Sequence, residues 1–415
     1  MIDKSENRIV LMTHADYLPT LEAARELGKI GVKVIVSDPK KYRISNWSKY
    51  VKYVKAPDVK DTEKFIDWLK ENSKQGLFNA FLPTSDLTVW YAASRYKELS
   101  KHMDIFVPSQ KSLDACLFKD LTYKHCLKHK IGTPLTYFPL SIKDVKKISR
   151  KISYPALIKH RTSIGMGISK KGEVVYSAEE LIKKYKKDLL VYDRKEIIKR
   201  SPNVEWSMIQ EYIPKAVDNL YSPQGISADN GRRISIMPVK RIRAEPPKLG
   251  IGVCTEAVKN IEPANEIKKF MRAIKFEGPF GSEVLFDERD SKYKIIDINP
   301  RLTGLTGAAV ANGMNLPLLW YNVLDGNKNV EDRVFTGNKI YIHLTSDLLY
   351  MPGNILHATS KMKAIKNIFR TYISPKKFSV LSLDDPVPFL IDVAVSLRWV
   401  IKHPLSYMRR LIKGE

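Results

Sequence analysis

Apolar and polar positions along the first hundred residues switch repeatedly between a period of two and a period near 3.6. Short apolar runs at 8–13, 32–37 and 78–82 predict strands, the stretches 18–30, 62–73 and 86–100 predict helices, and 105–107 predicts a closing strand. This alternation predicts a parallel, doubly wound sheet. The turn after the first strand is Thr13-His14-Ala15-Asp16-Tyr17, without the glycines of a dinucleotide site, so NAD binding is not expected. His14 and Asp86 fall at the carboxyl ends of predicted strands, where such sheets bind ligands. A plain loop role is the alternative for each.

Beyond this layer the pattern changes. A helix runs from Phe118 to about Lys130, and the apolar strand 154–159 ends in Lys159. It enters the small-residue loop Ser163-Ile164-Gly165-Met166-Gly167-Ile168. Glycines let backbone N–H groups approach phosphate oxygens, and a lysine beside them adds charge. The lysine precedes the glycines, so this is no Walker A loop, and a flexible hairpin is the alternative. The strand 207–210 then leads into Glu211-Tyr212-Ile213-Pro214, with Asp218 further on. Gln210 and the exposed backbone after it, followed by a carboxylate, can read an adenine and then a ribose hydroxyl.

Two apolar runs, 282–286 and 293–298, flank the charged turn 287–292 as in a hairpin. Counting by two along the second strand puts Ile295, Asp297 and Asn299 on one face, which Glu283 can share. Two carboxylates and an amide oxygen are hard ligands that suit Mg²⁺. Arg301 follows, and its planar fork suits a phosphate or carboxylate. A hairpin with a salt bridge and an Asn-Pro turn is the plainer alternative.

Residues 232–243 read as one strand, with Arg241 and Arg243 on a common face as a candidate grip for a carboxylate substrate. The loop 245–252, with two prolines and two glycines, reads as a segment that closes over the substrate. Thr303 and Gly304 lead toward a helix at 308–312 whose N-terminus suits an anion.

Composition narrows the class. With 415 residues, 44% hydrophobic and 28% charged, the chain has material for two or three folded domains. The net charge of +25 points to anionic partners. Cys116, Cys126 and Cys254 are widely spaced, which argues against a disulfide framework or zinc site and for a reducing, cytoplasmic setting. The N-terminal apolar run is too short for a signal peptide, and 387–401 is too short and too charged for a membrane span. No familiar nucleic-acid motif is present.

In this order, Lys119, Lys159 with its glycine loop, the 210–213 segment, and Glu283 with Asp297-Ile298-Asn299-Pro300-Arg301 resemble the ATP-grasp superfamily. The likeness is to its carboxylate–amine ligases related to carbamoyl phosphate synthetase and D-alanine–D-alanine ligase, and it covers residues 7–325. It implies an α/β fold in which a pre-ATP-grasp domain (1–117) precedes an ATP-grasp domain (118–325), itself split into a lid (118–210) and a metal and substrate part (211–325). Lys119 and Lys159 are then expected to bind ATP phosphates under Ser163, Gly165 and Gly167. Gln210, Glu211, Tyr212 and Ile213 would lie at the adenine, with Asp218 at the ribose. Glu283, Asp297 and Asn299 would hold two Mg²⁺ ions, for which Mn²⁺ can substitute, and Arg301 would steady the reacting phosphoryl group. Asp297 and Asp218 stand where many members have Glu, and Lys215 where a Gly is common. The implied reaction activates a small carboxylate as an acyl phosphate and joins it to an amine or thiol.

Two other readings fit the same residues: a non-catalytic ATP-binding regulatory or scaffold protein, and a basic membrane-associated protein with only architectural likeness. Residues 326–415 form a C-terminal extension, with a further strand at 338–346. Its last segment reads as an amphipathic helix with basic flanks, expected either to pack on the body or to touch an anionic membrane. Homo-oligomerisation is also an expectation.

Overall fold

The computed structural model of the chain describes residues 8–162, 164, 172–185, 194–215, 218–248, 250–326 and 330–414. The first sheet contains β1 (Ile9–Thr13), β2 (Lys33–Asp38), β3 (Val51–Lys55), β4 (Ala80–Leu82) and β5 (Asp104–Ile105). All its pairs are parallel, in the order β3-β2-β1-β4-β5. Side-chain alternation feeds two cores. Val10, Met12, Val34 and Val36 face one, while Leu11 and Ile35 face the other with Phe65, Phe81 and Trp90. The strand order reverses between β1 and β4, which makes their carboxyl ends the topological switch point. β3 is an edge strand that the sequence pattern leaves unmarked, because Lys52 and Lys55 interrupt its apolar positions.

A small antiparallel sheet follows, built from β6 (Thr136–Tyr137), β7 (Ala156–Lys159), β8 (Glu173–Val175) and β9 (Met208–Glu211) in the order β6-β9-β7-β8. The large sheet holds β10 (Leu220–Tyr221), β11 (Gln224–Ala228), β12 (Arg233–Met237), β13 (Val239–Glu245), β14 (Ile251–Ala257), β15 (Gly278–Asp287), β16 (Lys292–Asn299), β17 (Arg333–Val334), β18 (Ile340–Ile342) and β19 (Lys376–Phe378). The expected single strand at 232–243 is two, because Pro238 has no N–H to donate to a ladder.

The last ninety residues are woven into the body rather than hung from it. β17 pairs with β12, β18 with β14 and β19 with β18. Arg25, on the helix Leu18–Gly28, donates to the Asp385 carboxylate at 2.9 Å with both side chains buried. Lys377 pairs with Glu22 on the same helix. Besides its strands, the extension carries the helices Leu344–Leu356, Lys361–Ile373, Val387–Lys402 and Pro404–Lys413, where the sequence suggests a basic helical stretch and one amphipathic helix.

The first sheet and the large sheet share a core. Val10, Met12 and Ala24 lie in one apolar cluster with Ile226, Val239, Leu302, Ala308 and Trp320. That shared core brings the switch point of the first sheet against the end of β16.

Candidate functional site

β15 and β16 form the expected antiparallel hairpin, with Glu283 directly opposite Asp297 and Gly281 opposite Asn299. A bulge interrupts the register, since Val284 pairs with Ile295 while Glu283 pairs with Asp297. One extra residue, Ile296, therefore lies between the paired positions and reverses the alternation. Ile295 turns into the core beside Val284 and Phe280, so it does not share the Asp297 face as a plain count by two requires. Ile296 packs with Ile213, Leu220 and Leu285.

Glu283 lines a cavity of about 900 Å³ between the small and large sheets. Leu157, Ile213, Leu285 and Ile296 give it apolar walls, while Lys159, Asp218 and Arg241 bring charge. Gln210, Glu211 and Tyr212 form its edge at the end of β9. The side chains of the first two are committed elsewhere. Gln210 donates to the Tyr123 hydroxyl and to Thr136, both at 2.9 Å. Glu211 accepts from Arg289 at 2.7 Å and from the Leu135 N–H at 2.8 Å. Their offering to a ligand is backbone and shape. Ser163, Gly165 and Gly167 lie outside the described residues.

Lys119 stands at the start of the helix Lys119–Lys128, and its ammonium contacts the Asp297 carboxylate. Arg301 reaches across to the first sheet, where Nε donates to Asp86 Oδ1 at 2.7 Å and Nη2 to Oδ2 at 3.2 Å. Nη2 also lies 3.4 Å from Asn299 Oδ1. Burial opposes the Arg301 charge, but Asp86, with Tyr17 and Asp297, acts against it, and the guanidinium pKa stays above its ordinary value. Asp86 opens a helix capped by Ser85, at the carboxyl end of β4. His14, at the end of β1, sits in the left-handed region at φ 57°. Burial pushes its pKa down to about 4, with Arg301 acting in the same direction and Asp38 against it. The switch point and the hairpin thus meet in one ionic cluster. For Asp86, as for His14, the sequence leaves a plain loop role open, and the trace of its partnership there is its place after a strand.

The two arginines of β13 both line the cavity but differ in their partners. Arg241 lines the cavity and donates to the Gly250 carbonyl at 3.1 Å. Burial lowers its pKa, with Glu283 and Asp218 opposing. Arg243 donates from Nε and Nη2 to both oxygens of buried Asp347, each at 2.7 Å, so a protein carboxylate fills one edge of its fork, while its buried Nη1 has no hydrogen-bond partner among the described residues. Thr303 donates to Gln224 at 2.6 Å, and Gly304 lies near Leu18. The loop 245–252 is tied down at Lys248, whose N–H donates to the Gly414 carbonyl at 2.9 Å.

Sequence reasoning missed the contribution of the extension. His357, Thr359, Lys363 and Asn367 complete the cavity wall, and Thr359 donates to Asp218 at 3.3 Å. No motif marks them, since a helix that lines a cavity and one that faces water share the same periodicity.

No family model and no curated protein sequence matches the chain. Solved structures do. The L-amino acid ligase from Bacillus licheniformis superposes with a TM-score of 0.56 at 15% identity, covering 79% of this chain and 77% of that one. The fold is the ATP-grasp fold. N5-carboxyaminoimidazole synthetase from Staphylococcus aureus superposes on this chain with a TM-score of 0.59 at 12% identity, over 85% of this chain and 86% of its own. The biotin carboxylase domain of 2-oxoglutarate carboxylase from Hydrogenobacter thermophilus, in a complex with MgADP and bicarbonate, gives 0.60 at 14%, over 80% and 73%.

The oxygen donors of the β15–β16 hairpin are of the type that suits a hard divalent cation. Glu283 and Asp297 face each other across one ladder rung, Asn299 lies opposite Gly281 on the same strand as Asp297, and a cation, the Lys119 ammonium, sits on Asp297.

Proposed function

We propose that this chain is an ATP-dependent ligase that activates a small carboxylate as an acyl phosphate and transfers the acyl group to an amine or thiol. The observation that carries the reading is the rung Glu283–Asp297 at the margin of a cavity of about 900 Å³ that also holds Lys159 and Asp218, within an ATP-grasp fold.

In this reading the nucleotide lies in the cavity, its base against Leu157, Ile213, Leu285 and Ile296. Asp218 takes the ribose and Lys159 the phosphates. Glu283, Asp297 and Asn299 would hold Mg²⁺, or Mn²⁺ in its place, which would neutralise phosphate charge. Lys119 is held at Asp297, where its ammonium adds positive charge beside the transferring group. Arg301, fixed by Asp86, steadies the same group from the other side. A substrate carboxylate oxygen attacks the γ-phosphorus as the bond to ADP breaks, and the amine nitrogen then attacks the acyl carbon, releasing phosphate. This is catalysis by positioning and charge, with no protein nucleophile. Arg241, close to Glu283, is the preferred contact for the acid substrate, since Nε and Nη2 of Arg243 are committed to Asp347 and leave it Nη1 alone.

Binding is tested by melting the chain with and without MgATP. At a hundredfold excess over the dissociation constant, stabilisation of about 2.7 kcal/mol is expected, and Lys159→Ala should remove most of it. No shift with millimolar MgATP would contradict the assignment of the cavity.

A further inference from the structure

Among the described residues, the helices Val387–Lys402 and Pro404–Lys413 are tied to the body along one side. The Tyr407 hydroxyl donates to the Leu349 carbonyl at 2.7 Å, and the His357 ring meets the Leu411 carbonyl at 2.9 Å. The opposite side is apolar and open to solvent. Val387, Leu390, Leu397 and Ile401 recur at helical spacing, and Leu405, Met408 and Ile412 continue the pattern in the second helix. Ile401 is 76% and Leu405 85% exposed, which places them fully outside the core. Single exposed leucines are ordinary, but successive turns of two consecutive helices are not.

The exposed charge on these two helices has one sign. Arg398, Lys402, Arg409 and Lys413 are exposed on the same two helices. Asp392, the acidic residue within them, is buried. Upstream, the helix Lys361–Ile373 repeats the arrangement with exposed Met362, Phe369 and Ile373 beside Lys361 and Lys366. Among the described residues, no helix is long and apolar enough to cross a membrane.

We propose that the outer face of Val387–Lys402 and Pro404–Lys413 docks on an anionic lipid surface. Aliphatic side chains of this kind enter the boundary between headgroups and acyl chains, while lysine and arginine stay at the headgroup phosphates. A second copy of this chain fits less well, because it would set these cations against their own images. A nucleic acid satisfies the cations but leaves the aliphatic stripe in water, since it binds through aromatic stacking and groove contacts. The anionic bilayer satisfies both features. Docking stands apart from the ligase reading and is measured without nucleotide.

The test is sedimentation of the full chain with phosphatidylcholine vesicles and with vesicles that also contain phosphatidylglycerol. Pelleting is expected with the anionic vesicles at low salt, weaker at high salt, with each basic residue at the surface contributing roughly fivefold to partitioning. The double substitution I401E/L405E should reduce binding at least about tenfold, because it puts charge where apolar contact is required. Both positions are exposed, so its melting temperature should match that of the parent. The double substitution K402E/R409E should abolish the preference for anionic vesicles. Absence of pelleting at low salt would overturn the proposal, as would full binding by I401E/L405E. Size-exclusion showing a dimer that I401E/L405E dissolves would assign the face to a second copy instead.

Discussion

Replacing Glu283 by alanine is expected to lower phosphate release from MgATP by at least about a hundredfold while leaving the fold intact. A bound cation contributes several kcal/mol of charge stabilisation to phosphoryl transfer, and each 1.36 kcal/mol is a factor of about ten in rate. Glu283 is half-buried on a strand paired along both edges, with Asp297 opposite on one side and β10 and β11 on the other. Its side chain borders the cavity, so truncation removes the proposed metal ligand without opening the core. Asn299→Ala should act in the same direction, since its amide oxygen belongs to the same donor set. The measurement is steady-state phosphate release beside a melting curve for each variant. A Glu283→Ala chain that melts normally and turns over at a near-normal rate would remove this residue from the site.

The largest expected effect on stability lies elsewhere. Asp347→Ala should destabilise the chain by about 3–5 kcal/mol, read as a lower denaturant midpoint. The Arg243 and Asp347 side chains are 5% and 0% exposed, and the Tyr372 hydroxyl also donates to Asp347 at 2.8 Å. Removing the carboxylate strands a buried guanidinium, whose lost partner costs far more than the pair itself contributes. Replacing both residues by apolar ones of similar volume, as in R243M/D347L, should recover much of the loss. An unchanged midpoint in Asp347→Ala would mean that the pair is solvated in solution. The result matters for function because this pair joins the helix Leu344–Leu356 to β13, next to Arg241 in the cavity.

These two cases mark what the sequence carries and what it hides. The parallel sheet is legible because its strands are apolar runs set between amphipathic helices, a signal each segment carries alone. The β15–β16 hairpin is legible for the same reason, and its pairing places Glu283, Asp297 and Asn299, the proposed metal ligands, on two adjacent strands. The bulge at Ile296 is not, because one extra residue leaves no compositional trace and still reverses the facing of Ile295. The Arg301–Asp86 and Arg243–Asp347 pairs join residues brought together only by tertiary packing, the first sheet on the end of β16 and the helix Leu344–Leu356 on β13, and periodicity says nothing about such partners. The extension is hardest of all. β17 and β19 are too short to show a strand period, and Thr359 meets Asp218 through a turn between helices that reads as an ordinary break.

The most direct measurement of the ligase reading is phosphate release from MgATP by the purified chain, screened against pooled carboxylic acids with and without pooled amines and thiols. The account expects release that requires one acid pool, rises with one acceptor pool and is lost in Glu283→Ala. Release indifferent to every acid, or equal in the parent and in Glu283→Ala, would contradict it.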